Sequence, residues 1–251
     1  LRSYPLTSLT DREGVILVAP NGTGPVAREL LRTWNVGFGF GYARRHSVDD
    51  IGFLRALITQ LKSELAIDAS RVYLTGMSNG GILCHQMAAG NADLIRGIAP
   101  VAATAGGKAK GQPATIMPPI PSKAVDVIMF CGELDRSIPF QGGPQTQHAQ
   151  EEPVEVLSAE ESAMFWVKHN GCREQPEIVN LAEQKATRKT WSGGRNGSRV
   201  VLLVLHNQGH AWPGSSRAPR RSADVPSPLV KAHEVMWDFF ETQSQERGKS
   251  P

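Results

Sequence analysis

Arg71-Val-Tyr-Leu-Thr-Gly-Met-Ser-Asn-Gly-Gly-Ile-Leu-Cys-His-Gln-Met-Ala-Ala89 decides the fold. After Arg71 its next four residues are β-branched, aromatic or apolar, and the five read as a buried strand. The residues from Gly80 to Ala89 read as a helix, and the turn between them is Gly76-Met77-Ser78-Asn79-Gly80. A serine between two glycines at a strand-to-helix turn is held at a sharp corner, where glycines two before and two after it avoid backbone clashes. Placed at a helix N-terminus, its hydroxyl sits where developing negative charge is favoured. The pentapeptide alone is weak, because glycine fills 25 of 251 positions; the strand before and the helix after give it weight.

Further apolar runs alternate with helical patterns, which predicts a mostly parallel sheet with flanking helices. The expected strands are 15–19, 71–75, 97–101, 125–130 and 199–205, apolar on both faces as buried parallel strands are. Ile51, Leu54, Ile58, Leu61 and Leu65 recur at helical spacing, with Ser47 as the expected N-cap and Asp50 as its acidic partner. Ser158 and Glu161 form a capping box for a helix that stops at Asn170-Gly171. A last helix is expected from about Leu229 to Phe240, and loops over 104–122, 141–153 and 207–228. One domain is expected over 1–251, with no internal repeat.

Composition narrows the function classes. Lys and Arg number 27 against 24 Asp and Glu, a net charge of +3, too small and dispersed to argue for nucleic acid. Arg217, Arg220 and Arg221 cluster in a Pro/Ser-rich stretch that reads as a solvated loop. Three cysteines, Cys84, Cys131 and Cys172, show no metal-ligand spacing; the first two read as small core residues. No run approaches the roughly 20 apolar residues that a membrane span needs. The start shows no signal segment, and opening on Leu1 rather than Met suggests processing, truncation or trimming.

A serine nucleophile needs a base, and the base an orienting carboxylate. In strand-turn-helix sites of this kind the order along the chain is serine, acid, histidine, the last two on loops after later strands. Asp135, in Cys131-Gly-Glu-Leu-Asp135, follows the strand at 125–130, with Glu133 as the alternative acid. His210 follows the last strand in His206-Asn-Gln-Gly-His210-Ala-Trp-Pro-Gly214, with His206 as the alternative base. His85, about two helical turns beyond Ser78, reads as a helix-packing residue. The expected chemistry is two-step acyl transfer with the backbone N–H of Asn79 as an oxyanion donor, and no metal or organic cofactor is called for.

The sequence resembles the polyhydroxybutyrate-depolymerase-like and feruloyl-esterase-like branch of the α/β-hydrolases. The matching stretches are Asp11-Arg-Glu-Gly14, Thr33-Trp-Asn35, Val48-Asp-Asp-Ile-Gly-Phe-Leu-Arg-Ala-Leu57, Gly76-Met-Ser-Asn-Gly-Gly81, Ile98-Ala-Pro-Val101, Gly132-Glu-Leu-Asp135 with Pro139-Phe-Gln-Gly-Gly143, Asn170-Gly-Cys172, and Gly209-His-Ala-Trp-Pro-Gly214. The resemblance implies the α/β-hydrolase fold, ester hydrolysis and secretion. It gives Ser78, Asp135 and His210 the roles already reasoned, and places Trp34 and Trp212 at the acyl pocket or, equally, in the core. Feruloyl or acetyl esters of plant polysaccharide, hydroxyalkanoate esters and short synthetic esters are the implied substrates. A serine peptidase of the same fold, or a non-catalytic binding or remnant protein, stays open beside them.

The chain departs from that family in three ways. Cys131 stands where a histidine is usual; Val36-Gly-Phe-Gly-Phe-Gly41 replaces a segment that often carries paired cysteines, and Cys172 has no evident partner downstream. The third departure is that the likeness begins partway into the family's first helix. The opening strands and the His-Gly-rich loop that supplies a second oxyanion donor are then absent, and the chain is expected to be N-terminally incomplete, with a gap between the strands at Val15 and Arg71.

Overall fold

The computed structural model describes residues 6–25, 32–39, 41–109, 112–145, 154–216 and 224–248. The cluster Arg217, Arg220 and Arg221 lies outside them. In chain order the elements are α1 (Thr7–Glu13), α2 (Tyr42–Arg45), α3 (Asp50–Glu64), β1 (Tyr73–Met77), α4 (Asn79–Gly90), β2 (Gly97–Val101), β3 (Gly107–Ala109), β4 (Asp126–Gly132), β5 (Gly143–Pro144), β6 (Val154–Val156), α5 (Ala159–Asn170), β7 (Glu177–Leu181), β8 (Ala186–Trp191), β9 (Val200–Leu205) and α6 (Ala232–Gly248).

The main sheet has six strands in the order β1-β2-β4-β9-β8-β7. Its first four are parallel, and β8 and β7 return antiparallel on one side. A small sheet, β3-β6-β5, lies apart. The mostly parallel sheet with flanking helices is the expected class.

Alternation along the central strands builds two cores, because successive side chains point to opposite faces. Val127, Met129 and Cys131 of β4, with Val200, Leu202 and Val204 of β9, join residues of α3, α4 and α5 on one face. Ile128 and Phe130, with Val201, Leu203 and Leu205, join Met236, Phe239 and Phe240 of α6 on the other. The foot of β4 is pinned by charge: Asp126, fully buried, contacts Arg247 of α6 at 2.6 Å and Arg96 at 3.3 Å.

Two expectations are corrected. Residues 15–19 form no strand; Ile16 and Val18 are 53% and 42% exposed. Among the described residues β1 has a strand partner on one side only, so the β-branched run has no ladder to join. The N-cap of α3 is Asp49, whose carboxylate accepts from Gly52 N at 2.8 Å. Ser47 instead sits two residues outside, at φ 49°. The capping box at Ser158 is present in both directions, and α5 ends at Gly171 in the left-handed conformation.

Candidate active site

Every parallel strand ends at the same side of the sheet, and β1, β4 and β9 each hand on to a predicted functional residue there. Ser78 follows Met77, between β1 and α4, with φ 57° and ψ −124°, a conformation a residue with a side chain adopts only under strain. Its N–H donates to Val101 O at 2.9 Å and its C=O accepts from Ile82 N at 2.9 Å, so the corner is tied to both β2 and α4.

Two glycines make that corner possible. A Cβ on Gly76 would lie 2.5 Å from Gly80 O, and one on Gly81 would lie 2.6 Å from the Ala103 Cβ. At Gly80 the nearest atom is Trp34 Nε1 at 3.8 Å. The close approach therefore falls at Gly76 and Gly81, one residue later than the motif reading placed the second.

His210 and Asp135 are brought together: Nδ1 and Oδ2 stand 2.8 Å apart, with side chains 16% and 2% exposed. The other carboxylate oxygen of Asp135 accepts from Ser137 N and Ile138 N, each at 2.8 Å. With three hydrogen bonds fixing it in a buried setting, Asp135 can hold the imidazole in one tautomer and leave Nε2 for proton transfer. Behind it, burial and then the Asp135 charge push the Cys131 thiol up to about 12, so Cys131 is an inert packing group.

The loop bearing His210 starts beyond β9, with β2 and β4 between it and β1, and must cross the end of β4. Gly132 permits the crossing, since a Cβ there would lie 2.3 Å from Gln208 O. Gln208 is buried and braces the loop, donating to Ala211 O at 3.0 Å and accepting from Ser227 N at 2.7 Å. Asp224 accepts from His210 N at 2.9 Å. Sequence reasoning missed both residues, which lie in a stretch with no helical or strand period to single them out.

The alternative residues pair with each other. His206 Nδ1 meets Glu133 Oε2 at 2.9 Å, and its Nε2 is taken by Thr187 Oγ1 at 2.9 Å. His85 is fully buried on α4, where Nδ1 accepts from Trp166 Nε1 at 2.8 Å. Burial lowers its pKa to about 3.

Ser78 and Asn79 line a pocket with Val36, Phe38, Ile82 and Ile138. No hydrogen bond joins the Ser78 hydroxyl to His210 among the described residues; such bonds often tighten only with substrate present. The Asn79 side chain accepts from Trp34 N at 2.7 Å and donates to Trp34 O at 3.0 Å. Asp50, buried at the start of α3, accepts from Asn35 N at 2.6 Å; burial raises its pKa, and the Asn35 N–H opposes that. Trp34 thus stands beside the corner as part of an anchored wall. Trp212 is 3% exposed and packs in the α6-side core, outside the pocket lining. A larger groove of about 270 Å³ lies along β7 and β8, between Glu177, Leu181 and Arg188, and contains no histidine.

Among the described residues no group of three or more His, Cys, Asp or Glu could hold a metal ion, and no helix is long and apolar enough to cross a membrane. No family model matches the chain. It is 31% identical over 186 residues to NocK of Nocardia uniformis subsp. tsuyamanensis, named as an esterase, with 70% of this chain and 52% of that protein covered. It is 27% identical over 206 residues to feruloyl esterase B of Piromyces equi, covering 79% of this chain and 34% of that enzyme. A bifunctional acetylxylan esterase/xylanase of Neocallimastix patriciarum is 32% identical over 94 residues, 37% of this chain and 12% of that protein. Among solved structures, an acetyl xylan esterase from Aspergillus awamori superposes with a TM-score of 0.47 at 13% identity, covering 76% of this chain and 66% of that one. The chain spans about half the length of the first of these relatives and about a third of the second.

Proposed function

We propose that this chain carries the catalytic machinery of a serine carboxylic-ester hydrolase in the feruloyl-esterase-like branch of the α/β-hydrolases. The observation that carries the reading is the His210–Asp135 pair with its buried carboxylate, set at the same end of the sheet as a serine held at positive φ. The esterase names of the relatives support it.

In the mechanism, His210 Nε2 takes the Ser78 proton as Oγ bonds to the ester carbonyl carbon. Asp135 stabilises the imidazolium, and the N–H of Asn79, at the first turn of α4, donates to the oxyanion. The C–O bond to the alcohol breaks, and His210 returns the proton to the leaving alcohol. Water, deprotonated by His210, attacks the acyl-enzyme, and release of the acid restores the Ser78 hydroxyl. Feruloyl and acetyl esters are the substrates this reading favours, with hydroxyalkanoate esters behind them, and secretion follows from the same resemblance.

The edge of β1 that has no strand partner among the described residues, and the share of its relatives that the chain spans, support a longer native protein, in which a preceding segment pairs with β1 and adds the second oxyanion donor. The unclosed Ser78–His210 contact favours a second reading, a non-catalytic protein that keeps the fold. Turnover of p-nitrophenyl acetate and methyl ferulate by wild type and Ser78→Ala separates the two. Loss of at least about a thousandfold in kcat/KM is expected on removing Ser78; equal rates for both proteins would leave the non-catalytic reading standing.

A further inference from the structure

We propose that the pocket at Ser78 is an acyl-size gate, set by Phe38, that admits an acetyl group and turns away longer or aromatic acyl chains. The proposal rests on the ester-hydrolase reading above and narrows the acyl half of its substrate from feruloyl and acetyl groups to acetyl.

The pocket is small and combines apolar walls with the polar Ser137 and Gln145. Its lining beyond Ser78 and Asn79 includes Val36, Phe38, Ile82, Ile138 and Val154, and about 20 Å³ is free inside it. One water-sized group needs about 10–15 Å³ measured in this way. A methyl group therefore fits, whereas an octanoyl chain or a phenylpropenoyl ring requires the walls to part.

Those walls are poorly placed to part. Each of the five is itself packed into the core on the α4 side, from 3% exposed for Phe38 and Val154 to 8% for Ile138. The Phe38 ring is backed by the small sheet: a Cβ added to Gly107 of β3 would lie 2.5 Å from Phe38 Cε2. The backbone leading to Phe38 is fastened at three points, by Asn79 to Trp34, by Asp50 to Asn35, and by Asn35 Oδ1 accepting from Gly37 N at 3.1 Å. A ring held from behind and from its own chain resists displacement, so acyl length is limited by packed side chains. Close-packed interiors resist the insertion of even single methylenes, and apolar enzyme pockets discriminate one methylene by about 10- to 200-fold.

The test is kcat/KM for p-nitrophenyl acetate, butyrate, octanoate and ferulate, one leaving group throughout, with wild type, Phe38→Leu and Phe38→Ala and with Ser78→Ala as the blank. Wild type is expected to favour acetate over octanoate and ferulate by about a hundredfold or more, extrapolating from single-methylene discrimination. Phe38→Ala should compress both ratios by about tenfold, with Phe38→Leu between. Val154→Ala trims a second lining residue and gives the same readout should Phe38→Ala fail to fold by circular dichroism. A flat chain-length profile, or ratios unmoved by these variants, with turnover still lost in Ser78→Ala, overturns the gate and leaves the hydrolase reading intact. Absence of Ser78-dependent turnover on every ester overturns both.

Discussion

Two histidine–carboxylate pairs stand after the same two strands, four residues apart on one loop and two apart on the other. In each, a histidine Nδ1 meets a carboxylate oxygen at nearly the same distance, 2.8 Å for His210–Asp135 and 2.9 Å for His206–Glu133. Distance does not distinguish them; surroundings do. Asp135 is 2% exposed and accepts two further backbone N–H bonds, while the Glu133 side chain is 45% exposed. The remaining nitrogen of His206 is spent on Thr187. A buried, fully bonded carboxylate orients its partner without relaxing, whereas an exposed pair is screened by solvent and free to re-form. The comparison teaches that the catalytic assignment lies in what holds the acid, since both histidines satisfy the order along the chain.

The sharpest way to break this comparison is to remove each acid in turn. Asp135→Asn keeps the shape and leaves His210 without its anionic partner; kcat/KM for p-nitrophenyl acetate should fall by about 10³–10⁴. Glu133→Gln in parallel should cost less than about threefold. Equal losses would dissolve the distinction drawn from burial, and a larger loss at Glu133 would reverse it.

How far the site was legible follows from which signals act locally. The capping box at Ser158, the left-handed Gly171 and the apolar runs at β2, β4 and β9 are properties of short stretches, so the residues alone place them. The hairpin β7–β8 escaped because its turn, Ala182-Glu183-Gln184, carries three consecutive positive φ values without a glycine or asparagine to announce them, and its strand faces are largely polar. The segment at 15–19 has strand composition but no partner, and composition cannot supply one. Ser78, Asp135 and His210 were visible through order and motif, whereas Gln208 and Asp224 were not. They act through tertiary hydrogen bonds to a loop whose path depends on Gly132 letting it cross β4.

Asn79→Ala sharpens the comparison from the nucleophile's side, since it retains the backbone N–H that faces the oxyanion. It loses both hydrogen bonds to Trp34, leaving a partly buried backbone N–H and C=O without partners. Destabilisation of about 1–3 kcal/mol is expected, with kcat/KM about tenfold lower as the wall bearing Val36 and Phe38 loosens. A denaturant melt with parallel kinetics checks it, and unchanged values for both would show that Trp34 is held by other means.

His85 extends the contrast to a histidine with no carboxylate at all. Burial alone holds it neutral, with a pKa of about 3, against roughly 6.5 in an unfolded chain. Between those values the unfolded state binds a proton that the folded state refuses, so stability falls as pH drops below 6.5. For one proton the slope approaches about 1.4 kcal/mol per pH unit. Thermal melts at pH 7, 6 and 5 should therefore show a steeper loss in wild type than in His85→Asn, which offers Trp166 an acceptor but does not titrate. Parallel slopes would mean that His85 charges freely in the fold.

The smallest effect belongs to His206→Ala, and it is the control on which the assignment of His210 turns. Its side chain is 30% exposed and its partner Glu133 more so, a setting in which an ion pair contributes at most about 1 kcal/mol. Its hydrogen bond to Thr187 ties the end of β9 to β8 on the side away from β1, so its removal loosens the end of that ladder without touching the Ser78 pocket. A Tm lower by a few degrees and kcat/KM within about twofold of wild type are the expected results. A collapse of kcat/KM matching His210→Ala, with Tm unchanged, would instead make His206 the base and the deeper pair a structural brace.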